Sequence, residues 1–379
     1  MEDSIQIDSK TSNRNGGLDI FRIILCVFII IGHMQSQSFI MDMSIKDGLC
    51  DYLFETIFGN AERTAINGFI MISSWYLIGR KFSAKRFVTT WFMVFVLNVL
   101  ITILMFLSLA VPFSAVFFIQ AFLPIIGRPQ WYMCEYLLLL LTIPFLNRML
   151  DSLNIRAIRL LLIIGAVFII GSATIIPIEY TQPMFCEYIW FLYIFVLMGY
   201  CKKTNARFIK NDNNWLIIAV IAYLFIVALL LIGNITSYTN PFLGEKILAI
   251  GKYYCDHYEA LPAFLCSFAL FMWFKSRRVE GNKRITDIAR ATGTIYIIHT
   301  VPVFYWFDDF KIWENVFHIS YWYEKNLLII AMILITMIVI CLGTIIFWIY
   351  EFLFSKLIIN TRLVKFIIRW LDEKYQVVE

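Results

Sequence analysis

Apolar runs of about twenty residues recur along this chain, the length an α-helix needs to cross the ~30 Å hydrocarbon core of a bilayer. In lipid the backbone must satisfy its own N–H and C=O groups, and a run of that length does so as a helix. Ten such spans are read, near 18–39, 56–79, 87–110, 130–149, 157–176, 187–201, 215–233, 258–274, 291–307 and 327–353. The chain is 60% hydrophobic and 16% charged, with a mean hydropathy of +0.75. That composition excludes a soluble globular fold and leaves an all-α, polytopic membrane protein. Pro112 to Ile126 is also apolar, but a proline-bounded run of about fifteen residues reads as re-entrant or interfacial. Gly17 to Phe39 is too long for a signal peptide and lacks a small-residue cleavage site, so it is read as a retained span.

The charges between spans alternate. With the N-terminus placed inside, 25 of the 32 Lys and Arg residues fall on the inner side and seven outside (Lys46, Arg63, Arg128, Lys246, Lys252, Lys311, Lys325). An excess of that size puts both termini in the cytoplasm. The net charge of +5 is therefore a topology signal with some attraction to anionic lipid, and not a nucleic-acid footprint. Residues 1–16 are polar and read as a disordered cytoplasmic tail, 17–354 as one membrane domain, and 355–379 as a cytoplasmic tail. Within that tail Leu363, Phe366, Ile367, Trp370 and Leu371 fall on one helical face, as for a helix lying on the inner leaflet.

The first span carries the chemistry. Gly17 to Met34 contains Asp19, Arg22 and His33, with Cys26 its only other ionisable group. Arg22 and His33 are eleven residues apart, nearly three helical turns, so both leave one face about 16 Å apart, and Asp19, three before Arg22, is read on that face too. Two readings stand for Arg22 and Asp19: a snorkelling interfacial pair, or part of a site facing the bundle interior. His33 lies roughly 24 Å along the helix, near the far interface or in a cavity opening there.

In a first helix reading LDIFR…IGH, the spacing Arg-x10-His resembles the acyltransferase-3 family of multi-pass membrane acyltransferases. Further segments follow in the family's order. Asn67-Gly-Phe-Ile-Met-Ile-Ser-Ser resembles its FF-x-x-SG stretch, with Ser74 where the family usually has glycine. Lys85-Arg86-Phe87 resembles the basic run opening its third helix, Trp131-Tyr132 through Pro144 a later helix, and Ile295-Tyr-Ile-Ile-His299 its late lYliH. The likeness spans roughly residues 17 to 350. It implies an acyl-CoA donor, usually acetyl-CoA, bound from the cytoplasm, and a hydroxyl acceptor on a cell-surface polysaccharide or its lipid-linked precursor. It also implies His33 as the catalytic histidine, Arg22 as its essential partner, and Arg86 as a donor contact.

Neutral imidazole is a competent base near neutral pH, which suits His33 to taking a proton from an attacking hydroxyl. His299, about eight residues into the ninth span, reads either as a second active-site group or as a histidine hydrogen-bonded across the bundle. Glu135, the only acid well inside the fourth span, would orient His33 or the acceptor, or lie near the outer interface. His257 and His318 read as solvated loop residues. Trp131, Tyr132, Trp306, Trp313, Trp322 and Tyr323 suit sugar stacking or an aromatic belt. The eight cysteines show no metal-binding spacing, and a disulfide among the outer ones (Cys50, Cys134, Cys186, Cys255) is left open. No metal is expected. The rival class is a transporter of a lipid-linked sugar or small metabolite, since polar residues in a bundle also mark substrate paths.

The charge split makes one expectation directly testable. A cysteine probe placed at Lys311 should be labelled by an impermeant thiol reagent added outside the cell, and one at Lys203 should not; the opposite pattern inverts the topology.

Overall fold

Helix α1 (Gly16–Ser36) opens the described chain and is buried along much of its length. Asn15 starts it, accepting from the Gly17 N–H at 2.9 Å while its amide donates to the Lys275 carbonyl at 2.8 Å, so the helix start is tied to a residue 260 positions further along the chain. The computed structural model describes residues 15–175, 187–204, 212–277, 279–305, 307 and 310–376. The expected disordered tail up to residue 14, Cys186 and Trp306 lie outside the described residues.

After α1 come α2 (Leu49–Phe58), α3 (Glu62–Leu77), α4 (Ala84–Leu107), α5 (Ala115–Phe122) and α6 (Trp131–Ser152). Next are α7 (Ile155–Gly165), continued through a π-turn into α8 (Ser172–Ile175), then α9 (Glu187–Thr204), α10 (Asn213–Ser237) and α11 (Pro241–Asp256). The chain ends with α12 (Leu261–Ser276), α13 (Lys283–His299), the short α14 (Ile312–Asn315) and α15 (Ile319–Glu324), α16 (Leu328–Leu353) and α17 (Arg362–Gln376). No β-strand forms among the described residues.

Six of these segments are long and apolar enough to cross a membrane: α1, α4, α6, the continuous Ile155–Ile175, α10 and α16 with its extension. Of the six, α1 is the most enclosed, 61% buried against 22–50% for the rest. The other four expected spans are α3, α9, α12 and α13, helices of 16, 18, 16 and 17 residues. They pack on α1 or on one another, and a helix surrounded by helices can carry polar side chains because it presents little surface to lipid. Those polar groups cross-link the interior. The fully buried Asn67 donates to the Tyr258 carbonyl at 2.6 Å and accepts from the Trp190 indole at 2.8 Å. Ser267 donates to the Thr64 carbonyl at 2.9 Å.

Two glycines set how near α1 and α3 come. A Cβ on Gly68 would lie 2.6 Å from Leu25 and 3.1 Å from Phe21. One on Gly32 would lie 2.8 Å from the Cβ of Glu62. Ser74, where the family usually has glycine, is fully buried on the same helix.

Several boundaries differ from those expected. The 56–79 span is broken: α2 ends at Phe58, a 3₁₀ turn spans Gly59–Ala61, and α3 begins at Glu62. The 291–307 span starts earlier and ends at His299. Val301, preceding Pro302, adopts the extended conformation that the proline ring imposes on its neighbour (φ −65°, ψ 135°). His299 is therefore the last residue of its helix rather than midway along it. The expected outer loop 234–257 is mostly helix: Asn240 caps α11 by accepting from the Leu243 N–H at 3.2 Å, and Pro241 supplies the first turn. On α17, Ile367 and Leu371 pack against the start of α4 instead of sharing the outward face, while Leu363, Phe366 and Trp370 are exposed. Asp372 accepts from the Ala84 N–H at 3.0 Å, and Tyr375 stacks on Phe82. The seven described cysteines are all free.

Replacing Gly68 by valine should cost about 1–3 kcal/mol, since the fully buried Leu25 and Phe21 side chains would have to shift to admit its branches. Thermal unfolding in detergent should register a lower midpoint; an unchanged midpoint would mean the two helices are not locked at this distance.

Candidate active site

A cavity of about 220 Å³ lies between α1, α3, α4, α6 and α13. Arg22 and Arg290 line one end and His33, Glu62 and His299 the other; between them the wall is Cys26, Ile29, Phe69, Tyr132, Tyr136 and Tyr296, among others. The expected face of α1 is therefore real: Arg22 and His33, separated by about 16 Å of helix, look into one space. Asp19 does not. It is buried against α13, accepting from the Thr286 hydroxyl at 2.9 Å.

The histidine end is a connected set. His33 Nδ1 lies 3.1 Å from His299 Nε2, and His299 Nδ1 lies 2.6 Å from the Ile295 carbonyl oxygen. A carbonyl only accepts, so the proton on His299 sits on Nδ1 and, in the neutral ring, Nε2 presents a lone pair. That lone pair accepts from the Nδ1–H of His33. Only Nε2 of His33 is then left to gain or lose a proton. It faces Glu62 Oε1 at 3.6 Å, within ion-pair range though beyond a good hydrogen bond. Glu62 is held from its other side by the Arg63 guanidinium at 3.0 Å, and as the first residue of α3 its carboxylate also meets the positive end of a helix dipole.

Gly32 makes this arrangement possible, because only a residue without a side chain lets α1 come down onto Glu62 one step before His33. Glu62 was not among the expected site residues, since reading 56–79 as one span leaves it an interfacial charge. The adjacent Gly32-His33 pair on the facing helix is the signal for a close approach there.

At the other end, Arg22 stacks over the Tyr76 ring with 5.6 Å to the centroid. Arg290, read from sequence only as a topology charge, reaches the cavity while paired with Glu351 on α16. Arg86 is exposed in the first turn of α4 and does not line the cavity. Glu135 also lies outside the cavity, ion-paired to Arg128 at 2.9 Å. Of the aromatic residues, Trp131 and Tyr132 line the cavity. Trp313 is instead a core residue with no exposure, donating to Gln37 at 2.7 Å. His257 stacks on Tyr253, and His318 is exposed. Among the described residues no three His, Cys, Asp or Glu side chains are grouped to hold a metal ion.

A family model described as an acyltransferase domain matches residues 15–350. The chain belongs to the acyltransferase-3 family. Comparison with curated proteins and with solved structures returns no match. The acyltransferase-3 match runs from the cap of α1 to near the end of α16, so it contains every residue lining the cavity and leaves α17 outside. Membership supports the first of the two classes left open by sequence: this is a multi-pass membrane acyltransferase.

The cavity makes its own prediction. A Cβ on Gly293 would meet only the flexible end of Met93, at 3.4 Å, so Gly293→Ala should keep acyltransferase activity within about two-fold. Gly293→Phe should fill the space and abolish activity without loss of folded protein on gel filtration; full activity in Gly293→Phe would mean the cavity is not used.

Proposed function

We propose that this acyltransferase takes an acyl group, in the simplest case acetyl, from cytoplasmic acyl-CoA and places it on a hydroxyl of a cell-surface polysaccharide or its lipid-linked precursor. The observation that carries this reading is one cavity with cations at one end and a histidine–carboxylate set at the other. Donor phosphates are polyanionic and match guanidinium groups, so Arg22 is assigned to the carrier and Arg86 to the nucleotide end outside the cavity. The cavity itself has room for the acyl group and part of the pantetheine arm, not for a nucleotide. This orientation goes with ten spans, both termini cytoplasmic, and residues 17–354 as the catalytic domain in the plasma membrane. The C-terminal tail rests its exposed apolar face on the inner leaflet.

In the transfer step, Nε2 of His33 removes the proton as the acceptor oxygen attacks the thioester carbonyl. The C–O bond forms, the C–S bond breaks, and the proton passes to the leaving thiolate, so His33 ends neutral. Glu62 stabilises the imidazolium between those events. His299 acts through His33 as a positioning residue, since its accepting Nε2 holds the proton of His33 on Nδ1. Glu135 is left with the Arg128 ion pair and is given no part in the step.

The reading is tested by comparing, by mass, the surface glycan of cells with and without the protein, with a loss of acetyl groups expected in its absence. His33→Gln keeps a hydrogen bond to its neighbour but has no ionisable nitrogen, and transfer should fall by about 10²–10⁴-fold. Arg22→Ala should weaken acetyl-CoA binding, and Arg22→Lys should not fully restore it if the contact is bidentate. Substantial acylation by His33→Gln would remove the base assignment.

A further inference from the structure

A second cavity, of about 290 Å³, opens beside the first and shares one lining residue with it, Glu62. It is walled by the end of α1, by α2 and by the α10–α11 hairpin, with Arg63 next to the shared carboxylate. The two spaces differ in chemistry. The first is largely aromatic and aliphatic between its polar ends, whereas the second sets amides, hydroxyls and carboxyls among the apolar Met41, Met43, Leu230 and Leu248. Glu55, 6% exposed, is its centre: Gln35, Asn60 at 3.4 Å and Thr56 at 3.2 Å all donate to it. Asn234 on α10, which lines the space, accepts from the Ile45 N–H at 3.4 Å and the Tyr238 hydroxyl at 3.2 Å.

The charges select a class of ligand. Four carboxyl groups, Asp42, Glu55, Glu62 and Asp256, line the cavity against two cations, Arg63 and Lys252. That balance disfavours a polyanion such as coenzyme A. Groups that both donate and accept suit a neutral ligand rich in hydroxyls, which also do both. Burial pushes the Glu55 carboxyl up to about 7, so near neutrality it can fill either role.

We infer that this polar cavity is the acceptor site, holding an uncharged, hydroxyl-rich sugar unit so that one hydroxyl passes Glu62 to reach His33. The assignment rests on the transfer reaction proposed above and adds where its second substrate sits. Donor and acceptor then enter separate spaces and meet at a carboxylate that touches both. Arg63, ion-paired to Glu62 at 3.0 Å and donating to the Asp256 carbonyl at 3.0 Å, is a positioning residue that fixes this divide from the acceptor side.

The test narrows the second cavity from its rim. Lys252 is exposed and Ser44 half-buried, so Lys252→Trp and Ser44→Trp add bulk without disturbing a packed core. Each full-length variant is assayed for glycan acylation in cells and, purified in detergent, for binding of radiolabelled acetyl-CoA. Acylation should fall by about ten-fold or more, ~1.4 kcal/mol of lost transition-state stabilisation, with acetyl-CoA affinity held within about two-fold. Wild-type acylation in both variants would overturn the acceptor assignment. So would a parallel loss of acetyl-CoA binding, because the two cavities would then be one donor site. Failure of the underlying reaction reads differently: the wild-type protein itself would neither bind acetyl-CoA nor change the glycan.

Discussion

The contact between His33 on α1 and His299 at the end of α13 is the constraint on which the rest of the bundle turns. Two imidazoles 3.1 Å apart in an apolar surrounding must agree on where their protons are, and the Ile295 carbonyl makes that choice for both. For this to hold, α13 has to stop at His299, α1 has to lie against α13 along its length, and α3 has to bring Glu62 up to the remaining nitrogen. Pro302 meets the first of these demands and Gly32 the last. A Cβ on Gly343 would lie 2.7 Å from the backbone of Ile295, so α16 presses on the turn whose carbonyl sets the tautomer.

The helices divide their work accordingly. Long, largely apolar helices such as α4, α10 and α16 face outward, with only 22–33% of their apolar window enclosed. Shorter helices inside them, α3, α9, α12 and α13, carry the amides, hydroxyls and the carboxylate that join the interior. An unsatisfied polar group costs several kcal/mol in hydrocarbon, and most of these groups are paired, the Ser74 hydroxyl and the Trp273 indole N–H being exceptions. The buried Asn98 and Gln130 show the pattern, exchanging two hydrogen bonds of 2.8 Å between α4 and the residue before α6.

Much of this was legible in the residues. Helix periodicity alone put Arg22 and His33 on one face, and the helical class and family likeness followed from apolar runs and ordered motifs. His299 was found by its motif, although its place at a helix end was not, because the effect of Pro302 acts on the residue before it and cuts across an otherwise apolar run. Glu62 was missed for a different reason. Its role comes from a partner thirty residues away on another helix, and hydropathy ranks an acid at a helix start as interfacial whatever it faces. Arg290 was hidden in the same way among the cations that set topology. Asp19 went wrong by angle: three residues before Arg22 is about 60° around the helix, enough to turn it from the cavity to Thr286. The α11 helix escaped notice because it is amphipathic and too polar to read as a span, and a polar stretch between two spans was taken as loop.

The α10–α11 hairpin has a core of its own. Ile226, Leu230, Tyr253, Tyr254, Cys255 and Ala260, with Ala173, form an apolar cluster separate from the one that holds α1, α3 and α13 together. The wall it gives the polar cavity is thus built on a different foundation from the histidines. Residues on that wall can be exchanged without repacking the reactive end, so the same chemical engine can be fitted with a new receptacle by changing one hairpin.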